Sequence, residues 1–486
     1  MLSADWISHT LQTQTGGSGP RSSSFSAITT DSRKITSGCL FVALVGESFD
    51  GHDFIEKAID LGAGGILCRE SAANSLAGKY PSVHFSGVRD TLTAYRTLGG
   101  AWRRRFKIPV ILVAGSNGKT TTKELLSAIL QGRYGKVLKT QGSQNGFVGI
   151  PMTLLELTPE HEIAVIEVGI DEVGAMDQHV KLVEADIAVL TVIGPEHLEK
   201  LHDVPTVARE EGIALEQVAK SGGTAVINLD DPWISPFAKS NPGRKIGFTL
   251  MSPETSASPS ALNDQLAGQL VDDHKKLKLS GTGLAQEMNG ITVQLPLPGR
   301  HNAQNLLAAI ATARAVGLSS QEVLRGLETF RGASGRSELR SLLDGTPVIC
   351  DYYNASPLSM RAGIAMLTQL SERTGARKIA CLGDMLELGA GEESFHRELA
   401  AELIAHGISA VFLLGPRMRW LLDELNKQGF SGVAQHFESH ETLSSQLLTE
   451  MHAGDAVLIK GSRSMKMEEV WKRLEAARGN SENKKP

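Results

Sequence analysis

The chain has 486 residues, too many for one hydrophobic core, and length alone predicts about three domains. Abundant glycine, few aromatics and an ordinary apolar fraction describe an α/β enzyme with many strand-to-helix turns. A net charge of −5 excludes nucleic acid as an expected partner, because such binding needs a positive field.

The four cysteines (Cys39, Cys68, Cys350 and Cys381) are scattered without metal-ligand spacing, as expected of a reduced cytoplasmic protein. The start, Met1-Leu2-Ser3-Ala4-Asp5-Trp6, lacks the basic and apolar run of a signal peptide. No apolar stretch approaches membrane-spanning length, so a soluble cytoplasmic protein is expected, with no membrane insertion.

Residues 14–26 are rich in Gly, Ser and Thr and read as a loop. From Ile28 to Arg69, short apolar runs at 40–44 and 65–68 alternate with one helical stretch at 53–61, which makes a small α/β unit. A helix over 92–105 ends in three arginines, a cluster suited to a helix C-terminus, and the first domain is placed at 1–107.

The second domain, 108–331, opens with the apolar run Ile108-Pro109-Val110-Ile111-Leu112-Val113 and then Ala114-Gly115-Ser116-Asn117-Gly118-Lys119-Thr120-Thr121-Thr122. This order predicts a buried strand, a glycine-rich turn and a helix, whose backbone N–H groups converge on a phosphate. Gly115 and Gly118 let the backbone close around the oxygens, Lys119 reaches the outer phosphates, and Thr120 holds the magnesium of ATP. The alternative is a glycine turn beside a surface lysine. The commonest phosphate loop would need a glycine at Val113, so this loop follows a shorter pattern. Strand candidates at 162–168, 187–193 and 224–228 alternate with helices and imply a parallel, doubly wound sheet. Residues 251–266 read as a surface loop, and 306–318 as a helix stopped by Gly317.

The third domain, 332–486, has strand candidates at 348–351, 378–382, 410–414 and 456–460, again alternating with helices: a second, Rossmann-like sheet. The polar stretch 477–486 reads as a disordered tail.

Ligands of open α/β sheets gather beyond the carboxyl ends of strands, and several polar groups fall there. Glu167 ends an apolar strand and is suited to nucleotide-bound magnesium, with a structural glutamate as the alternative. His197 follows another strand within four residues; alone, it reads as a surface or core histidine. Asn302 and Asn305 share a face at the start of a helix, where they serve a base or ribose or merely cap. Arg336 could neutralise a transferred phosphoryl group and Asp351 could hydrogen-bond a ribose; a surface ion pair and a strand-end cap are the alternatives.

Taken in order, these segments resemble one family, the Mur ligases. Thr30-Asp31-Ser32-Arg33-Lys34, 38–44 and 46–54 resemble its UDP-binding domain. Residues 115–122, Glu167, His197-Leu198-Glu199 and His301-Asn302 with Asn305 resemble its central P-loop ATPase domain. Gly335-Arg336, Asp351-Tyr352-Tyr353-Asn354-Ala355-Ser356-Pro357, 383–389 with His396, and 460–465 resemble the C-terminal domain of the branch that adds D-alanyl-D-alanine.

The resemblance implies an ATP- and magnesium-dependent amide ligase. It would join D-alanyl-D-alanine to UDP-N-acetylmuramoyl-tripeptide through an acyl phosphate, acting as a monomer in cytoplasmic peptidoglycan synthesis. It also implies the roles. Lys119 and Arg336 stabilise phosphoryl charge; Thr120 and Glu167 hold one magnesium, and His197 a second. Gly115, Ser116, Asn117, Gly118, Thr121, Asn302, Asn305 and Asp351 contact nucleotide, with Asn305 on adenine and Asp351 on ribose. Ser32, Arg33, Asn145, Asn354, Ala355 and Ser356 contact the other substrates.

The chain departs from the pattern in places. Where the family presents a lysine that carbon dioxide converts to a carbamate near the second magnesium, this chain has Glu211. Glutamate supplies a permanent carboxylate but is three bonds shorter, a gap of roughly 3–4 Å at about 1.5 Å per bond. Glu211 is therefore expected to act as catalytic and metal-binding carboxylate, against the alternative of a solvated helix residue. Cys350 stands where a second acid is usual, and Ser356 where asparagine is commoner. These two motivate a second reading, a ligase of altered acceptor specificity. A third is a non-catalytic nucleotide-binding regulatory protein.

Overall fold

The computed structural model describes residues 2–12, 24–46, 49–240, 243–251, 262–372 and 375–480. They group into two compact units. One comprises 1–112, 135–168 and 177–185; the other comprises 113–134, 169–176 and 186–486.

In the first unit, Ile28–Thr29, Leu40–Val42, Gly65–Arg69 and His84–Val88 form a four-stranded, wholly parallel sheet. Its core holds Phe41, Ile55, Ala58, Ile66 and Phe85. The expected helix at 53–61 starts as a 3-10 turn, Gly51–Phe54, and becomes α-helical over Ile55–Asp60. The next helix spans Thr91–Arg103 and starts on the Asp90 carboxylate, which accepts the Thr93 N–H at 2.5 Å. In the same unit Val137–Lys139 lies parallel to Ile163–Glu167.

The strand Val110–Ala114 begins in the first unit and ends in the second, fully buried throughout. Both-face burial explains why its sequence is a continuous apolar run rather than an alternation. Within the second unit, Ile187–Leu190, Thr224–Asn228, Arg244–Met251 and Gln265–Val271 pair in parallel. Lys276–Thr282 and Thr292–Gln294 then continue antiparallel. The wholly parallel expectation is therefore corrected at this edge. The alternation of polar and apolar residues in Lys276–Thr282 marks a half-exposed hairpin strand.

The C-terminal sheet has six strands in the order Glu338–Ser341, Pro347–Asp351, Ala456–Lys460, Lys378–Gly383, Ala410–Leu414 and Val433–Phe437; the first is antiparallel and the rest parallel. Successive side chains enter opposite cores. Ile349, Ala380, Leu382, Val411 and Leu458 pack under one set of helices, and Val348, Cys350, Cys381, Phe412 and Ile459 under the other. This is the doubly wound architecture expected from the alternating pattern.

Three boundary expectations are corrected. Ser24–Phe25, read as loop, is a strand paired with Leu2–Ser3; residues 14–23 lie outside the described residues. Met251 and Gln265–Leu266 are strand residues rather than loop, and 252–261 lie outside the description. Ala477 and Arg478 complete the helix Glu468–Arg478 rather than beginning a tail, and 481–486 lie outside. All four cysteines are free and buried. Among the described residues no helix is long and apolar enough to cross a membrane.

One buried residue makes the first unit sensitive to acid. His179 is fully buried against the Phe147 ring, and neither ring nitrogen has a hydrogen-bond partner. Burial and the nearby Arg96 charge push its pKa down to about 3. Because the folded value lies below the unfolded one, stability is full above about pH 6.5 and falls as pH drops toward 3, by ~1.4 kcal/mol per unit from this group. His179→Phe is expected to flatten that slope in urea titrations between pH 6.5 and 4. An unchanged slope would remove His179 as its source.

Candidate active site

The turn after Val110–Ala114 is closed by two glycines that no other residue could replace without strain. Gly115 has φ +115° and Gly118 φ +84°. A Cβ on Gly115 would collide with Thr191 Oγ1, and one on Gly118 with Asn305 Oδ1. The helix Lys119–Leu130 starts here with Gly118 as its N-cap and no side-chain cap, so its first N–H groups face outward to the turn.

The turn is held from several sides. Ser116 Oγ donates to Gly194 O at 3.1 Å and accepts the Gly194 N–H at 2.9 Å. Thr191 Oγ1 donates to Asn117 O at 2.5 Å. Ser116 is thus engaged in stapling the neighbouring strand end. Thr120 and Thr121 are buried at the helix mouth.

Lys119 lies folded back on the turn. Its Nζ donates to Gly115 O at 2.5 Å, to Ser116 O at 3.3 Å and to Glu196 Oε2 at 3.3 Å. Glu196 escaped the sequence reading, although it directly precedes His197 beyond the same strand.

Glu211 is no solvated helix residue. It is completely buried on the helix Val204–Lys220, and its Oε2 accepts the Gly115 N–H at 2.9 Å. Its Oε1 is buried without a hydrogen-bond partner. Burial drives its pKa well above the usual carboxylate range; the Lys119 charge opposes this and the Glu196 charge adds to it.

His197 sits at φ +47° with Nδ1 2.5 Å from Glu387 Oε2. Burial alone would lower its pKa, but the hydrogen bond to Glu387 and the charges of Glu196 and Glu387 raise it on balance.

Asn302 and Asn305 do not cap their helix. That helix, Arg300–Val316, begins earlier than expected and has Gly299 as N-cap. Asn302 Nδ2 returns to Pro298 O at 2.7 Å, and Asn305 Nδ2 donates to Asn302 Oδ1 at 3.2 Å. Asn305 Oδ1 also accepts from Thr122 Oγ1 at 3.4 Å, which sets the pair directly beneath the Gly118 turn.

In the C-terminal sheet, Asp351 and Lys460 are register partners on adjacent parallel strands. Lys460, almost fully buried, donates to Asp351 Oδ2 at 2.6 Å and to Asn354 O at 3.0 Å. Burial would raise the Asp351 pKa, but Lys460 and the Ser337 N–H outweigh it and lower it. Arg336 stacks on the Tyr353 ring, 4.1 Å to its centroid. Asn354 Oδ1 accepts the Ala355 N–H at 2.9 Å, and Ser356 Oγ lies 3.0 Å from Asn117 Oδ1. The structure thus joins the Ala355-Ser356 turn to the phosphate-type turn. Cys350, by contrast, is fully buried in the hydrophobic core, so its departure from the family pattern alters packing.

In the first unit, Asn145 Nδ2 donates to Glu167 Oε1 at 2.7 Å, and Thr140 Oγ1 accepts the Glu167 N–H at 3.0 Å. Arg33 is exposed and forks onto Asp31, both bonds at 2.9 Å, beside Ser32 in a 3-10 turn.

Strand, left-handed glycines, lysine and threonine at a helix mouth, on a doubly wound sheet, define a P-loop nucleotide-binding α/β protein. Three family models match the chain in order: Mur ligase family, catalytic domain, at 24–93; Mur ligase middle domain at 113–313; and Mur ligase, glutamate ligase domain, at 335–463. The chain is 32% identical to the UDP-N-acetylmuramoyl-tripeptide–D-alanyl-D-alanine ligase of Bacillus subtilis, with 92% of each covered. It is 33% identical to the ligase of the same name from Escherichia coli, covering 92% of this chain and 93% of that one. Among solved structures it is similar to MurF of Acinetobacter baumannii, with TM-score 0.81, 27% identity, and 97% and 98% coverage. It is also similar to MurF of Thermotoga maritima in complex with ADP, with TM-score 0.75, 26% identity, and 93% and 97% coverage. The chain belongs to the Mur ligase family.

The backbone of Gly118 provides a direct test of the turn. Gly118→Ala is expected to weaken nucleotide binding about tenfold or more, since left-handed strain of ~1–2 kcal/mol adds to the collision with Asn305. Calorimetric titration with ADP measures this; wild-type affinity in a folded variant would show that the turn does not hold the nucleotide.

Proposed function

We propose that this chain is an ATP-dependent amide ligase that joins D-alanyl-D-alanine to UDP-N-acetylmuramoyl-tripeptide, yielding the pentapeptide precursor of the cell wall with ADP and phosphate. The observation that carries the reading is Lys119 on the Gly115–Gly118 turn, joined through Asn117 and Ser356 to the C-terminal Ala-Ser turn. The named relatives, aligned over almost their whole length, support the same substrates.

A carboxylate is anionic and lacks a good leaving group, so it resists an amine. Transfer of the γ-phosphoryl of ATP to the tripeptide carboxylate gives an acyl phosphate. The dipeptide amine then attacks its carbonyl, and the tetrahedral intermediate expels phosphate. Lys119, released from its own turn, and Arg336 stabilise the charge on the phosphoryl oxygens. Asp351, held by Lys460, would meet a ribose hydroxyl, and Asn305 adenine. Ser32 and Arg33 meet the uridine diphosphate; Asn145, Asn354, Ala355 and Ser356 meet the peptide parts. The proposed domains are 1–107, 108–331 and 332–486, and the three family matches fall one inside each. A monomer in the cytoplasm suits soluble substrates and four buried free thiols.

Magnesium fits the donors. Among the described residues no three His, Cys, Asp or Glu side chains gather into a metal cage. Magnesium bound through one or two carboxylates together with phosphate oxygens needs no such cage. Thr120 and Glu167 are the residues proposed to hold one ion, and His197 and Glu211 a second; His197 would offer Nε2, because Nδ1 faces Glu387, as outer-shell carboxylates commonly orient such ligands. When bound, the ion neutralises phosphate charge.

Phosphate release by the purified protein with magnesium-ATP should require both UDP-N-acetylmuramoyl-tripeptide and D-alanyl-D-alanine, with a product of matching pentapeptide mass. Lys119→Ala should reduce kcat by at least ~100-fold, in line with loss of a preorganised charge donor. Release without the dipeptide, or none with both substrates, would overturn this activity and favour altered acceptor specificity or a non-catalytic role.

A further inference from the structure

The roles above leave Glu196 unused, yet it is the residue that Lys119 grips. Its side chain is 9% exposed, Oε2 accepts from Lys119, and Oε1 is buried with no hydrogen-bond partner. Glu211, fully buried, likewise has an unpartnered Oε1. Glu211 accepts the Gly115 N–H, and Lys119 bridges the Gly115 carbonyl to Glu196, so both acids are gathered around this one glycine. A buried acid oxygen left without a partner is costly, and a bound cation would give both of these oxygens one.

Lys119 Nζ donates to Gly115 O, Ser116 O and Glu196 Oε2. In this pose the lysine is committed to its own turn and to Glu196, and it must give up a bond before it can meet a phosphate oxygen.

We propose that Glu196 and Glu211 together form a divalent-cation site that is complete without nucleotide and without carbon dioxide, and that the arriving cation displaces Lys119 from Glu196. The donors are hard carboxylate oxygens, as a magnesium-like ion requires, with water and later phosphate filling the remaining positions. Cation entry compensates the pair and frees the lysine for the nucleotide in one exchange. The inference rests on the reading of this turn as the nucleotide site and adds Glu196 to it.

The test is titration of the nucleotide-free, full-length protein with Mn²⁺ in carbon-dioxide-free buffer, following free Mn²⁺ by electron paramagnetic resonance. Wild type should bind one ion, and added bicarbonate should leave the affinity unchanged. Glu196→Gln and Glu211→Gln should each weaken binding at least tenfold, whereas Glu216→Gln, a partly exposed acid on the same helix, should bind as wild type. Lys119→Met should bind Mn²⁺ more tightly, because the competing charge is gone; a merely structural lysine would not produce this gain. Thermal melting checks that each variant is folded. If one glutamine variant fails to fold, the Lys119→Met and bicarbonate measurements still decide. No Mn²⁺ binding by wild type, undiminished binding by folded glutamine variants, stimulation by bicarbonate, or no gain in Lys119→Met would each overturn the proposal. Mn²⁺ binding without ligation would sink the ligase reading alone; ligation without Mn²⁺ binding to the free protein would sink this one alone.

Discussion

Gly115 is the point on which the site turns. Its positive φ and the closeness of Thr191 leave no room for a side chain. Its N–H is taken by the buried Glu211 carboxylate, and its carbonyl by Lys119. One residue thus fixes a helix carboxyl group and the loop lysine relative to the end of a buried strand. Opposite charges meet there in a region nearly closed to water, where electrostatic interactions are strong and unpaired groups are expensive. Burial outweighs what the Gly115 N–H and the Lys119 charge supply, and it favours the protonated form of Glu211.

A second fixed point lies in the C-terminal sheet. Parallel register sets Asp351 beside Lys460, and that lysine also ties down the Asn354 carbonyl. The turn that follows reaches Asn117 through Ser356, while Glu387 reaches His197. Side chains from distant parts of the sequence therefore complete the surroundings of the phosphate-type turn.

Much of this was legible from residues alone. Strands at 224–228, 410–414 and 456–460 were readable because apolar runs of that length, bounded by turn residues, suit both-face burial. Edge strands such as Glu338–Ser341 and Val433–Phe437 were not, since half-exposed edges carry polar residues that resemble loop. The helix holding Asn302 and Asn305 was readable from its apolar spacing, but its start at Arg300 was not; an unmarked glycine cap gives no Ser, Thr or Asp signal.

By itself, then, the sequence determined the doubly wound class, the phosphate-type turn with Lys119 and Thr120, and the family to which the motifs belong. These follow from local periodicity and short contiguous spacing. Only the tertiary structure decided that Glu211 is buried on Gly115 rather than solvated, that Glu196 holds Lys119, and that Lys460 rather than solvent faces Asp351. Glu211 lies 96 residues from Gly115, and Lys460 109 from Asp351. Separations of that kind leave no trace in local pattern, because packing and strand register alone bring the charges together.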